Sequence, residues 1–374
     1  MINLSNYILQ GEPDQRERGY VWHTAIGLQQ TDGLKPSDYL IATANKNING
    51  DITLLEAKEL IDGYYEERAV QSEDVTRTEE ADKVSARTAM LLAERTFSFS
   101  PVEYITIHRR LFEGTYRFAG QIRDYNISKK EWVLNGETVY YASALSIRDT
   151  LDYDFERERN YNYRGLSPAD VARHVAAFIS GIWQIHAFGE GNTRTSAVFT
   201  IKYLRSFGFD VGNDIFAENA WYFRNALVRA NYSDIRRKIN ATQQYLDLFF
   251  ANLLLGENNT LKNRDLRIRP MATEPADVPV NDRVNEPANE NVPINDLKNE
   301  DVPINVPINV PVKIADIADR VLAALTEDPG ATAVQMAEQF GVTDKTVKRA
   351  LASLKAAGLI ERVGSNKTGH WAVK

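Results

Sequence analysis

Apolar residues recur at helical spacing on either side of one polar break near the middle of the chain. Val171, Val175, Phe178, Ile179 and Ile182 fall on one face of a helix. Its start is marked by Ser167-Pro168-Ala169-Asp170: a capping hydroxyl, a proline at the first helical position and a carboxylate in the first turn. A second apolar segment runs from Ala197 to Phe209. Upstream, Glu131 to Tyr140 holds two short β-prone runs about Asn135-Gly136, the pattern of a β-hairpin.

Beyond Leu261 the helical pattern stops. From about Arg264 to Pro311 the chain is rich in Asn, Pro, Asp and Glu, and it repeats Asp277-Val278-Pro279-Val280-Asn281 imperfectly, as in Asn291-Val292-Pro293-Ile294-Asn295 and Val306-Pro307-Ile308-Asn309. Frequent proline forbids regular helix, so this stretch reads as a semi-extended tether. Periodicity then returns. Ile314, Ile317, Val321, Leu322 and Leu325 mark a helix, and Thr332 caps a second that Gly341 ends. A third starts at Thr343, buries Val347, Leu351 and Leu354, and ends at Gly358. Leu359–Val363 and His370–Val373, about a turn at Gly364-Ser365-Asn366, make a hairpin, with His370 as a packing residue. Three helices and a hairpin resemble a winged helix-turn-helix. Thr343, Lys345, Thr346, Lys348 and Arg349 on its third helix, with Lys367 on the wing, are the candidate DNA contacts. Residues 341–374 hold seven Lys/Arg against two acids. Protein contact or dimerisation is the other use of such a module.

Over the whole chain the balance is acidic: 44 Lys+Arg against 51 Asp+Glu give a net charge of −7, which argues against a protein that coats nucleic acid generally. Zero cysteines exclude disulfides, thiolate metal sites and cysteine nucleophiles, and suit a reducing cytoplasm. The sequence shows no signal peptide and no apolar run of membrane-spanning length, so no membrane partner is expected.

The break itself reads His186-Ala187-Phe188-Gly189-Glu190-Gly191-Asn192-Thr193-Arg194. A polar glycine loop opening a helix is an arrangement in which backbone N–H groups hold an anion. A neutral imidazole at His186 can take a proton from an attacking hydroxyl near pH 7. Glu190 is a hard oxygen ligand able to complete a Mg²⁺ shell with phosphate oxygens and waters. Gly189 and Gly191 are expected to reach positive φ and allow close approach of a ligand. Asn192 can bond phosphate or fix the loop, and Arg194 can grip phosphate through two parallel bonds.

With His186, Phe188, Glu190, Gly191, Asn192 and Arg194 in place, the loop resembles the Fic signature, His-x-Phe-x-(Asp/Glu)-Gly-Asn-x-Arg. The resemblance implies a mainly α, helical core over 71–262 with a small β-hairpin flap, followed by a linker over 263–312 and an α+β winged helix over 313–374. It implies protein adenylyltransferase activity, moving AMP from ATP to a target-protein hydroxyl. His186 would be the general base, Glu190 would hold Mg²⁺, and Phe188 would anchor the loop. Gly189, Gly191, Asn192, Thr193 and Arg194 would bind the nucleotide, with Arg194 also stabilising the developing charge. The flap would align the target as an added strand. A homodimer is compatible with this reading.

Three positions depart from the family pattern. Ala187 replaces the usual proline, Thr193 replaces the usual glycine and crowds the expected anion site, and Ala197 replaces a second arginine. Residues 1–70, chiefly Trp22 to Tyr65, resemble the family's small antitoxin module through Gly33-Leu34-Lys35-Pro36, Gly50-Asp51-Ile52-Thr53 and Lys58-Glu59-Leu60-Ile61. On that alignment Leu28 and Asp32 stand at the inhibitory Ser/Thr and Glu positions. With no arginine at 197, the family's salt-bridge lock is absent or rewired, or the segment is a plain helical lid. A rival inhibitory position is Glu257 in Gly256-Glu257-Asn258, preceded by Leu253. Two other functions stay open on sequence: a nucleotide-sensing transcriptional regulator with a catalytically weak core, and a phosphate-transferring variant.

Overall fold

The computed structural model describes residues 13–66, 73–209, 211, 214–268 and, with short interruptions, 320–373. They form two compact units, one taking the described parts of Met1–Arg123, Ile127–Tyr141 and Asp154–Pro293, the other those of Asp124–Asn126, Ala142–Tyr153 and Ile294–Lys374. Helix dominates, as the periodicity predicts.

The larger unit begins with α1 (Pro13–Gly27), which tightens into a 3₁₀ turn, Leu28–Asp32, closed by Gly33 at φ 64°. Helices α2 (Asp38–Asn49), α3 (Leu54–Glu66), α4 (Glu73–Ala93) and α5 (Pro101–Phe112) follow. Two ties hold these N-terminal helices in place. Trp22, fully buried, donates from its indole nitrogen to Asn47 Oδ1 at 2.8 Å. Ser37 caps α2 by accepting from Leu40 N and donates its own hydroxyl to Asp82 of α4. Gly27 lies flush against the chain at Ala217, where a Cβ would stand 2.3 Å from the carbonyl oxygen.

Next come α6 (Ile147–Arg159), whose residues up to Tyr153 are grouped with the smaller unit, α7 (Pro168–Ile185), α8 (Asn192–Ser206), the short α9 (Ile215–Glu218), α10 (Ala220–Ala230) and α11 (Gln244–Leu255). The start of α7 is as the sequence predicts: Ser167 Oγ accepts from Asp170 N at 3.1 Å, with Pro168 at the first position. Val175, Phe178, Ile179 and Ile182 are buried, and Val171 is half-buried. Helix α8 is buried on every side from Asn192 to Leu204, so it is the central helix of the unit. Phe99, Phe178, Phe199 and Tyr203 pack ring on ring beside it. The packed chain runs past Leu261 through a 3₁₀ turn at Asn263–Leu266 to Ile268, whose N–H donates to Val133 O at 2.9 Å.

The expected flap hairpin at 131–140 does not form. The chain does reverse at Asn135 (φ 54°) and Gly136 (φ 90°), and Glu131 N–H donates to Glu137 O, but Trp132–Leu134 is a 3₁₀ turn without a strand ladder. The cause is burial. Val133 and Leu134 are adjacent and both fully buried, which a hairpin with one solvent-facing side does not allow and a tight helical turn does.

The two-stranded sheet lies instead in the smaller unit, where β1 (Ile360–Val363) pairs antiparallel with β2 (His370–Val373). Before it, α12 (Ala333–Phe340) starts with a reciprocal cap between Thr332 and Gln335. Val321, Leu325, Met336, Phe340, Val347, Leu351, Leu354 and Ile360 form one buried cluster, with Trp371 packed against it. His370 is exposed rather than packed: with Trp371 turned toward the cluster, strand alternation sends its neighbour outward. Lys348 is exposed, whereas Thr343, Lys345, Thr346, Arg349 and Lys367 lie outside the described residues, as do the repeats between 269 and 319.

Candidate active site

The loop between α7 and α8 is built on one unusual residue. His186 ends α7 in the left-handed region (φ 50°, ψ 58°), a conformation that costs a non-glycine residue energy and here turns the chain sharply. Arg123 fixes the turn: its N–H donates to Ala187 O at 3.0 Å and its Nε to His186 O at 2.7 Å. Phe188, fully buried, stacks on His108 with ring centroids 3.7 Å apart and on Tyr104 at 5.7 Å, so it anchors the loop in the core. His108 in turn accepts from Gly120 N–H at Nδ1 and donates from Nε2 to Glu190 O at 3.0 Å. Burial pushes its pKa down to about 3, so the ring stays neutral.

Asn192 fixes the loop rather than facing a ligand. Its Oδ1 accepts from Phe188 N–H at 3.0 Å, and its Nδ2 donates to Phe188 O at 2.8 Å. Positive φ falls on Gly191 (76°) but not on Gly189, and a Cβ at Gly191 would meet the Phe112 ring at 2.3 Å. Nor does Thr193 strain the loop. It sits in the first turn of α8, at negative φ, and its hydroxyl turns inward to accept from Trp183 Nε1 at 3.0 Å. The first intrahelical bond of α8 is Thr195 N–H to Gly191 O, so the amides of Asn192, Thr193 and Arg194 precede any helical acceptor.

The His186 imidazole is buried, and neither ring nitrogen has a hydrogen-bond partner. Tyr141 lies over it at 4.0 Å between centroids, with Trp183 edge-on at 5.4 Å. Burial, with the Lys129, Arg224 and Arg123 charges, holds its pKa well below the usual histidine value. A neutral imidazole with both nitrogens open is a competent proton acceptor at pH 7.

Beside the loop runs a chain of alternating charge. Arg194 pairs with Glu80 at 2.7 Å and with Asp32 at 2.8 Å, and its Nη1 also donates to Gln29 Oε1 at 3.2 Å. The other oxygen of Asp32 meets Arg224 of α10 at 2.9 Å, and Arg224 reaches both oxygens of Glu131 at 3.1 and 3.2 Å. Burial alone would raise the Asp32 pKa, but the Arg194, Arg224 and Lys129 charges outweigh it and hold the carboxyl below its ordinary range. Both alternatives read from the sequence therefore meet here. The N-terminal helices do pack on the core, and Asp32 makes its salt bridge with Arg194 and Arg224 instead of with position 197, where Ala197 is buried. The rival position takes no part: Glu257 accepts from Asn259, and Leu253 is buried.

Glu190, the expected metal ligand, is paired through one oxygen in this structure. Its Oε2 is paired at 2.9 Å with Lys129, whose side chain is 4% exposed. Among the described residues no three His, Cys, Asp or Glu converge as metal ligands. A Mg²⁺ held at Glu190 would have to share that carboxylate with the Lys129 ammonium or displace it. Lys129 and Arg224 carry no motif signal and lie far along the chain from the loop; only the fold brings them to it.

A family model described as the Fic/DOC family matches residues 98–204, and one described as winged helix-turn-helix DNA-binding matches 316–361. Protein adenylyltransferase VbhT of Bartonella schoenbuchensis is 24% identical over 151 residues, covering 37% of this chain and 30% of that protein. Probable protein adenylyltransferase y4lH of Sinorhizobium fredii is 27% identical over 143 residues, covering 35% of this chain and 65% of the relative. The matches thus span under two thirds of either curated relative. A crystal structure of the N-terminal FIC domain of Bep8 from Bartonella sp. 1-1C is 19% identical with a TM-score of 0.40, covering 50% of this chain and 88% of that one. No described helix is long and apolar enough to cross a membrane. From the loop motif and the two family-model matches, the chain carries a Fic/DOC family domain, with a winged helix-turn-helix segment downstream of it.

Proposed function

We propose that this protein transfers AMP from ATP to a hydroxyl side chain of a partner protein, with His186 as general base. The observation that carries the proposal is the buried, neutral His186, both of whose nitrogens lack partners, at the mouth of a loop that opens the α8 N-terminus. In the reaction the target hydroxyl gives its proton to His186 and its oxygen attacks the α-phosphorus. The bond from that phosphorus to the oxygen bridging to the β-phosphate breaks, and pyrophosphate leaves. The amides at the start of α8 and the Arg194 guanidinium take up charge on the phosphates. Glu190 would be the residue to hold a Mg²⁺, which would supply charge neutralisation at the phosphates.

Asp32 belongs to the same proposal as an internal anion. It sits between two guanidiniums, where a nucleotide phosphate would compete with it, so it restrains the enzyme until it is displaced. The exposed Lys348, and the basic positions around it, supply phosphate contacts by which the winged helix holds DNA.

Incubation of the purified protein with candidate target proteins and α-labelled or γ-labelled ATP tests the reading. Label is expected on the target only from the α position, and to vanish with His186→Ala. Transfer from the γ position would instead establish phosphate transfer. ATP-dependent DNA affinity that survives His186→Ala, with no label transferred, would establish a sensor.

A further inference from the structure

The reaction proposed above needs a target oxygen within hydrogen-bond reach of a His186 nitrogen, and both nitrogens are buried. Two rings close over the imidazole. Trp183 stands edge-on at 5.4 Å, is fully buried in α7 and donates from Nε1 to Thr193 Oγ1 at 3.0 Å, so it belongs to the core. Tyr141, over the imidazole at 4.0 Å, is held differently. It is half-buried, follows the exposed Tyr140 and lies in a stretch, 137–141, that is neither helix nor strand. Its hydroxyl donates to Glu131 Oε1 at 3.2 Å. Glu131 itself is fixed, 1% exposed and held at both oxygens by Arg224. The base therefore has a rigid wall on one side. On the other is a ring with access to solvent, tied by one side-chain hydrogen bond.

We propose that Tyr141 is a movable cover over the general base: it swings off the His186 ring, breaking its bond to Glu131, before a target hydroxyl is accepted. The inference rests on the reading of His186 as the base. Opening strands no buried group, because the phenol hydroxyl meets water and both Glu131 oxygens keep Arg224. Glu131 and Asp32 hang on the same guanidinium, so the cover and the internal anion belong to one hydrogen-bonded chain. Tyr141 is thus a positioning residue that sets when the base can be reached.

The test is diethyl pyrocarbonate modification of the full-length protein near pH 7, where the reagent reads neutral imidazole. Each histidine is followed by peptide mass spectrometry in the wild type, Tyr141→Phe and Tyr141→Ala. Exposed His370 reports reagent activity, and buried His108, stacked on Phe188, must stay protected, which separates opening at Tyr141 from loss of the fold. Where Tyr141→Ala fails that control, Tyr141→Phe, which keeps the ring, carries the test. Wild-type His186 is expected to react at least about tenfold more slowly than His370, and Tyr141→Phe about fivefold faster than wild type, the worth of one hydrogen bond removed from the closed form. In Tyr141→Ala the His186 rate is expected to approach that of His370. With labelled ATP, Tyr141→Phe is expected to raise the initial rate of transfer, whereas loss of a merely structural contact would lower it. Wild-type His186 as reactive as His370, His186 still protected in a folded Tyr141→Ala, or Tyr141→Phe no faster than wild type toward the reagent overturns the inference and leaves the transfer reading intact. So does a transfer rate in Tyr141→Phe below that of the wild type. Label transferred by none of the three proteins, with His186 opening as expected, overturns the transfer reading and leaves the cover standing.

Discussion

Replacing Asp32 by asparagine tests the internal anion most directly. The change keeps the shape of the side chain and removes the charge that links Arg194 at 2.8 Å to Arg224 at 2.9 Å. Removing one member of a buried ion pair costs about 3–5 kcal/mol. The lower end applies here, because Arg194 keeps Glu80 and Arg224 keeps Glu131. About 3 kcal/mol corresponds to a fall of about 6 °C in the melting temperature of the unit that holds Asp32, at roughly 2 °C per kcal/mol for a unit of this size. A protein with phosphate already seated between the guanidiniums no longer needs Asp32, so it escapes that loss. ATP affinity is therefore expected to rise by up to about 100-fold. Scanning calorimetry without nucleotide and titration with ATP, both at one ionic strength, measure the two effects. A lowered melting temperature with unchanged ATP affinity would make Asp32 a structural residue only. No change in either would mean that the charge chain is not formed in solution.

Three further outcomes are expected. Gly191→Ala forces a Cβ into the Phe112 ring at φ 76°, so urea unfolding should show a loss of about 2–5 kcal/mol, whereas Gly189→Ala escapes the conformational part of that cost. Asn192→Ala strands the buried N–H and carbonyl of Phe188 and should cost about 2–4 kcal/mol in the same measurement, with a label-transfer rate lowered because the loop is no longer held. His186 and His108 both have folded pKa values pushed below the unfolded value near 6.5, so the unfolded chain binds protons that the native one refuses. Their contribution is complete above about pH 6.5 and is lost on acidification below it, by up to about 1.4 kcal/mol per pH unit for each ring. His186→Gln should show a shallower loss between about pH 7 and 5; an unchanged slope would contradict a buried neutral ring at position 186.

What the sequence revealed follows from how local each device is. The α7 cap needs only Ser167, Pro168 and Asp170, and the loop needs nine consecutive residues, so both were legible. At Thr193 no backbone strain arises, because the first turn of α8 already holds position 193 at negative φ. Residues 131–140 have β-prone composition, yet two adjacent buried side chains, Val133 and Leu134, decide for a 3₁₀ turn. Glu190 invited a metal because a carboxylate beside a phosphate loop usually means one. Only the fold reveals the lysine, Lys129, that pairs with this carboxylate. Arg224 was invisible for the same reason: a lone arginine in an amphipathic helix has no signature until a second charge is found opposite it.

The seat of Gly27 on Ala217 limits how α1 can move. A backbone-to-backbone seat has no slack, so α1 cannot creep along the protein by a residue or rotate by a fraction of a turn while staying docked. Any such shift would drive a real side chain into the peptide at Ala217. A 3₁₀ turn, Leu28–Asp32, follows Gly27 directly, so under the restraint proposed for Asp32 its release is expected to be all-or-none rather than graded. An intermediate dose of any releasing agent should give two populations of molecules, one silent and one fully competent, in changing proportion.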